Sequence, residues 1–167
     1  MARKIETLEA LYVDELRDLY HAEMQLAKTM PAMAQAVQSD ELRKEFQNEA
    51  SEARQHADRI SQICSALQAD PSGHRCKGME GLLEEGRELI QDGVQNPVLD
   101  AGLIVTAQKA QHYEIAGYGS ALTFARILGR EKDESLLRET MEEEKEADAR
   151  FTQIANRAIN IAAAAAA

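Results

Sequence analysis

The sequence predicts an all-α fold of four long helices, with one long crossover between the second and the third. Three observations predict it. Apolar residues recur at alternating three- and four-residue steps along four stretches, which is the spacing of a buried helix face. No stretch alternates apolar and polar residues as a half-buried strand does. The breaks between the stretches are short, long and short, in that order.

The first helix is expected over residues 5–37, with the seam Leu8, Tyr12, Glu15, Leu19, Glu23, Leu26 and Met30. Pro31 lies inside it and is read as a bend rather than an end. Ser39 is the natural N-cap of the second helix, which runs to about residue 68 with the seam Leu42, Phe46, Glu49, Glu52 or Ala53, His56, Ile60, Ile63 and Leu67. Residues 69–97 hold five of the nine glycines and two of the three prolines, so they form the crossover, with one short helix over MEGLLEEGRELI. The third long helix follows Pro97 with the seam Ile104, Ala107, Gln111, Glu114, Tyr118, Ala121, Ala125 and Leu128, and Gly129 is its C′ residue. The last starts near Asp133, carries Leu137, Met141, Glu144, Asp148, Phe151, Ala155 and Ala158, and fades into the alanine tail 162–167. Residues 1–161 form one domain, as expected for a chain of 167 residues.

Turns of a few residues after the first and third long helices make each pair an antiparallel hairpin. A helix of about 29 residues is roughly 43 Å long, a distance that the crossover can span in returning along the bundle. The order is therefore up-down-down-up, the single-crossover, ferritin-like arrangement of a four-helix bundle.

The polar residues on the seams test that topology. The helix midpoints fall near positions 21, 54, 113 and 147, and Glu23, Glu52 with His56, Gln111 with Glu114, and Glu144 with Asp148 lie within about one turn of them. Acids on the core side of a helix are costly to bury unless paired or metal-bound, so four at one level point to a buried metal site. Pairs spaced i, i+3 and i, i+4 share a helix face, and di-metal bundles take their ligands in such pairs. Carboxylates with imidazole suit iron or manganese, whereas thiolates suit zinc or Fe–S clusters. Taken singly, a Glu on a seam is more often a salt-bridged or snorkelling side chain, and a lone His a satisfied core residue. The metal reading rests on the coincidence of four helices.

Other features carry less. His74-x-Cys76 is half of a zinc pattern with no second half in the sequence, and is read as a loop. Cys64 and Cys76 are read as free thiols, and His21 and His112 as surface residues. Tyr20, Tyr113 and Tyr118 fall near the layer; Tyr118, one turn from Glu114, is a candidate partner for a ligand. Nineteen Lys and Arg against 29 Asp and Glu give a net charge of −10, which repels nucleic-acid phosphates and anionic membranes. With no long apolar run at the N-terminus, the expectation is a cytoplasmic protein.

At DLYHAEMQLAKTMP, DAGLIVTAQKAQHYEIAGYGSA and TMEEEKEAD the chain resembles the YciE/YciF-type, stress-associated ferritin-like proteins of bacteria. HYEIAGYG, residues 112–119, is the most specific block, and the resemblance covers nearly the whole chain. It implies a four-helix fold, two iron or manganese ions per chain and a homodimer rather than a storage cage. Glu23, Glu52, Glu114, Glu144 and Asp148 match the acidic positions of the family pattern. Two positions depart from it. Gln111 stands where relatives often have Glu, which lowers the charge of the site. Glu49 stands where relatives often have His, and is a further candidate ligand.

The resemblance points to oxidoreductase or ferroxidase-type chemistry with dioxygen or peroxide, driven by an external electron donor because no Cys-x-x-Cys pair is present. The alternative is a non-catalytic stress or structural protein whose acid layer only fixes helix register. The residues leave open whether the protein is an enzyme.

Overall fold

The computed structural model describes residues 5–93 and 95–166. Residues 1–4 of the expected domain, Val94 in the crossover and Ala167 at the end of the tail lie outside the described residues. The chain folds as α1 (Leu8–Ala36), α2 (Asp40–Ala66), α3 (Lys77–Gln91), α4 (Pro97–Ile127), α5 (Glu131–Ile154), a π-helical segment (Ala155–Ile159) and α6 (Asn160–Ala164). Among the described residues there is no strand, and no helix is long and apolar enough to cross a membrane.

The predicted punctuation holds at most boundaries. The Ser39 hydroxyl accepts from the Leu42 amide at 3.2 Å, and α1 continues through Pro31. Gly129 takes φ +70°, and the Gly129 and Arg130 amides reach back to the Arg126 and Ala125 carbonyls, so α4 ends in a Schellman turn that only a residue tolerant of left-handed backbone closes cheaply. This tight closure starts α5 at Glu131, two residues before the expected Asp133. Asp133 turns inward instead, accepting from Arg130 at 2.5 Å and from the buried Tyr12 hydroxyl at 3.2 Å. The short crossover helix is also longer than expected, because the Cys76 sulfur caps its first turn at the Met79 amide, 3.5 Å away. The tail does not simply fade, since helical structure runs on to Ala164 and packs against α4.

The most extensive packing is between α1 and α2 and between α4 and α5; α1 also touches α4, and α2 touches α5. The crossover helix α3 lies against α1 and α4, and Gly86 permits the approach: a Cβ there would sit 2.6 Å from Met33 Cε and 2.8 Å from Thr106 Cγ2.

The apolar core falls into two clusters. One gathers Leu26 and Met30 of α1, Phe46 and Ala50 of α2, Leu103 and Ala107 of α4, and Phe151. The other gathers Tyr12 and Leu16, Ile60 and Ile63, Tyr118 and Ala121, and Leu137. Residue numbers rise from the second cluster to the first along α1 and α5, and from the first to the second along α2 and α4. His56, Glu114 and Glu144 fall in the gap in numbering on their helices, and Glu23 lies at its edge on α1, next to Ala22 of the first cluster.

Candidate metal centre

Each of the four long helices contributes buried polar side chains near the junction of the two apolar clusters: Glu23 from α1, Glu49 and His56 from α2, Gln111 and Glu114 from α4, and Glu144 from α5. None is more than 3% exposed. Glu49 and His56 are seven residues apart, two turns, which brings them within about 20° on the α2 face.

His56 stands at the centre. Its Nδ1 lies 2.8 Å from Glu144 Oε1 and 3.2 Å from Glu23 Oε1, and its Nε2 lies 2.9 Å from Glu143 Oε2. Neither Nδ1 contact counts as a hydrogen bond; both are ion pairs when the ring is protonated. The Tyr118 hydroxyl donates to Glu23 Oε1 at 2.5 Å, and the Gln111 amide donates to Glu49 Oε2 at 3.2 Å. Six buried atoms have no hydrogen-bond partner: Glu23 Oε2, His56 Nδ1, Gln111 Oε1, both oxygens of Glu114 and Glu144 Oε2. Among the described residues they are the only buried side-chain nitrogen and oxygen atoms in that condition, and all belong to this layer.

Ligand atoms converge in two trios, Glu23–His56–Glu144 and Glu49–Glu114–Glu144, within each of which they lie within 4.8 Å of one another. Glu144 belongs to both. The electrostatics follow from crowding acids away from the surface. Burial, and then the charges of Glu144, Glu52 and Glu23, push Glu49 well above the usual carboxyl range. Burial, with Glu23 and Glu144 beside it, does the same to Glu114. Burial also raises Glu144, against the pull of His56. For His56, burial disfavours the imidazolium, but the Glu23 charge and the contact with Glu144 outweigh it and push its pKa up to about 11.

Of the residues expected from the seams, Glu23, His56, Gln111, Glu114 and Glu144 come together, joined by the further candidate Glu49 and by Tyr118. Glu52 and Asp148 stand outside both trios. Glu52 is about a third exposed, at 31%, and accepts from Arg150 at 2.8 Å, while Arg150 also holds Glu45 at 2.6 Å. Asp148 accepts from Gln108 at 3.0 Å and lies 3.3 Å from the exposed His112. A spacing of i, i+4 keeps two side chains on one face, yet about 40° apart, and a neighbouring arginine or glutamine captured the outer member.

Glu143 is absent from the sequence reading because it sits in the acidic run 142–146, where periodicity does not separate it from its solvated neighbours. Arg59 forks onto both of its oxygens and, opposing the effect of burial, holds its carboxyl below the usual range.

A second polar cluster lies about one and a half turns away on α1. Asp18 accepts from the Tyr113 hydroxyl at 2.6 Å and the Cys76 thiol at 3.0 Å, and its other oxygen is 2.9 Å from His74 Nε2. His21 is half-buried rather than on the surface, because its Nδ1 accepts the Cys76 amide at 3.0 Å. His74 and Cys76 thus have a sequence-distant partner in Asp18, but they belong to none of the convergent trios found among the described residues. Both cysteines are buried free thiols, and burial pushes each to about 11.

Residues 7–164 match the sequence profile of the family described as a domain of unknown function, DUF892. The chain is 38% identical over 157 residues to protein YciF of Escherichia coli (strain K12), covering 93% of this chain and 95% of that protein. The crystal structure of the E. coli stress protein YciF superposes with a TM-score of 0.89, covering 93% of this chain and 99% of that one. YcfI from Rhodopseudomonas palustris, a candidate structural protein, is 32% identical with a TM-score of 0.86, covering 91% and 97%. A protein of Xanthomonas campestris pv. campestris, 18% identical, shares the fold at a TM-score of 0.74.

Proposed function

The chain belongs to the DUF892 family, as a relative of the stress protein YciF, and from that premise and its buried acid layer we propose that it is a di-metal carboxylate protein of the ferritin-like, up-down-down-up four-helix type. The opposite directions of numbering through the two apolar clusters support the topology. The observation that carries the metal reading is the set of six orphaned polar atoms gathered in one buried layer. Unpartnered, such groups are expensive to bury; two divalent cations satisfy them.

The donor set fits. Glu23, Glu49, Glu114 and Glu144 carry four negative charges when ionised, equal and opposite to two divalent ions. Three carboxylates per trio, or two with an imidazole, form the hard oxygen-rich set suited to iron or manganese. Glu144, common to both trios, is the group placed to be shared. A bound pair would supply one-electron redox chemistry toward dioxygen or hydrogen peroxide, in keeping with a role in stress. The chain's own residues do the rest. Tyr118 holds the Glu23 carboxylate, Gln111 holds that of Glu49, and the apolar clusters above and below limit access of water. Electrons come from an external donor.

A second reading, a non-catalytic structural protein, is favoured by the ion pairs of His56 with Glu23 and Glu144, which by themselves tie three helices together. Metal analysis after growth in iron- or manganese-supplemented medium separates the two. The di-metal reading expects about two ions per chain, and fewer than about 0.2 sinks it. Anomalous scattering at the iron and manganese edges would then identify the metal.

A further inference from the structure

His56 is held from both sides by consecutive residues of α5: Glu144 faces Nδ1 and Glu143 faces Nε2. The two contacts differ in kind. Glu144 points into the orphaned layer, whereas Glu143 lies on the solvent side, 34% exposed, and forms a direct hydrogen bond with Nε2 at 2.9 Å.

Glu143 is itself immobilised. The Arg59 guanidinium bonds to both of its oxygens, and is in turn tied to the Thr140 hydroxyl at 3.1 Å and to Glu139 at 3.1 Å. Arg59 lies three residues after His56 on α2, so one face of that helix carries both the imidazole and the cation that anchors its partner. On its other flank the ring meets Tyr118 edge-on, with centroids 6.4 Å apart.

An imidazole whose Nε2–H donates to a fixed carboxylate has one nitrogen left for an ion, and its ring can no longer exchange the two by rotation. We propose that Glu143, anchored by Arg59, is the positioning residue that commits His56 to present Nδ1 to the ion of the Glu23–His56–Glu144 trio. This rests on the di-metal reading. Glu143 itself touches no other residue of that trio by hydrogen bond, so its effect falls on one ion and leaves the Glu49–Glu114–Glu144 half unaltered.

Mn2+ titration followed by electron paramagnetic resonance tests this on the full-length protein, with electron-spin-echo modulation reporting coordination by the ring nitrogen of His56. Wild type should take up two Mn2+ with nitrogen modulation. Glu143→Ala should weaken one of the two ions by about tenfold to a hundredfold and reduce that modulation, while the affinity of the other ion is kept. Glu143→Gln, whose amide oxygen can still accept from Nε2–H, should recover most of the loss. If Glu143→Ala does not fold, Arg59→Gln, which leaves Glu143 in place but unanchored, should weaken the same ion by about threefold. Equal affinities and modulation in wild type and variants, or equal weakening of both ions, overturn the positioning role alone. Wild type that binds no Mn2+ overturns the di-metal reading and the inference with it.

Discussion

At Asp18 no buried nitrogen or oxygen of the polar cluster lacks a partner, while at Glu23, five residues further along α1, six buried atoms of the layer do. Both clusters are built from carboxylates, histidine and tyrosine, and both suffer from burial. At Asp18 burial raises the carboxyl, but donors from Tyr113, Cys76 and His74 outweigh it and hold it below the usual range. In the acid layer there are too few donors, so burial and mutual repulsion raise Glu49, Glu114 and Glu144 together. A polar cluster that satisfies itself ties the start of α3 to α1 and α4. One that does not leaves convergent carboxylates and an imidazole that could hold a metal ion.

The sharpest way to break this contrast is Glu144→Ala, which removes the group shared by both trios. The gain in melting temperature on adding Mn2+, worth about 2.7 kcal/mol per ion at a hundredfold excess over Kd, should vanish. Thermal unfolding with and without metal checks it, and a variant that keeps the full gain would put the ions elsewhere.

Asp18→Ala should do the reverse. It strands three donors at a half-buried knot and should cost about 3 kcal/mol in denaturant unfolding, with metal stoichiometry unchanged.

The pH dependence comes next. Groups whose folded pKa is raised bind more protons in the native state. Stability of the metal-free protein should therefore fall as pH rises above about 4.5 for Glu49, Glu114 and Glu144, through about 7 for Glu144, and from 6.5 to about 11 for His56. Asp18, held low, contributes the opposite slope, its stabilisation being lost as pH falls below 3.8. Metal affinity should rise with pH, because ligands must shed protons. Calorimetry from pH 2.5 to 9 would read both signs.

The smallest effect expected is from Cys76→Ser, under about 1 kcal/mol, since a serine hydroxyl can cap α3 and still donate to Asp18. A large loss would mean that the thiol has a role beyond that knot.

The four long helices and the level of the acid layer were legible because period and capping are local: Ser39, Pro97 and Gly129 act on their own turns, and a seam at 3.6 residues per turn marks which residues face inward. The seam identified Glu23, His56, Gln111, Glu114 and Glu144 as core-facing without any partner being known. What it could not resolve was choice within a face. Glu49 rather than Glu52 entered a trio because Arg150, about a hundred residues away in sequence, holds Glu52 at the rim. Asp148 was drawn off by Gln108, His74 and Cys76 found Asp18 across the crossover, and Glu143 was distinguished from its acidic neighbours only by Arg59 and His56. By itself the sequence determined the helices, their order and the depth of the acids, since these depend on near neighbours along the chain. Tertiary structure alone decided which acids are neutralised by arginine and which are left bare, because that depends on cations and donors brought in from other helices.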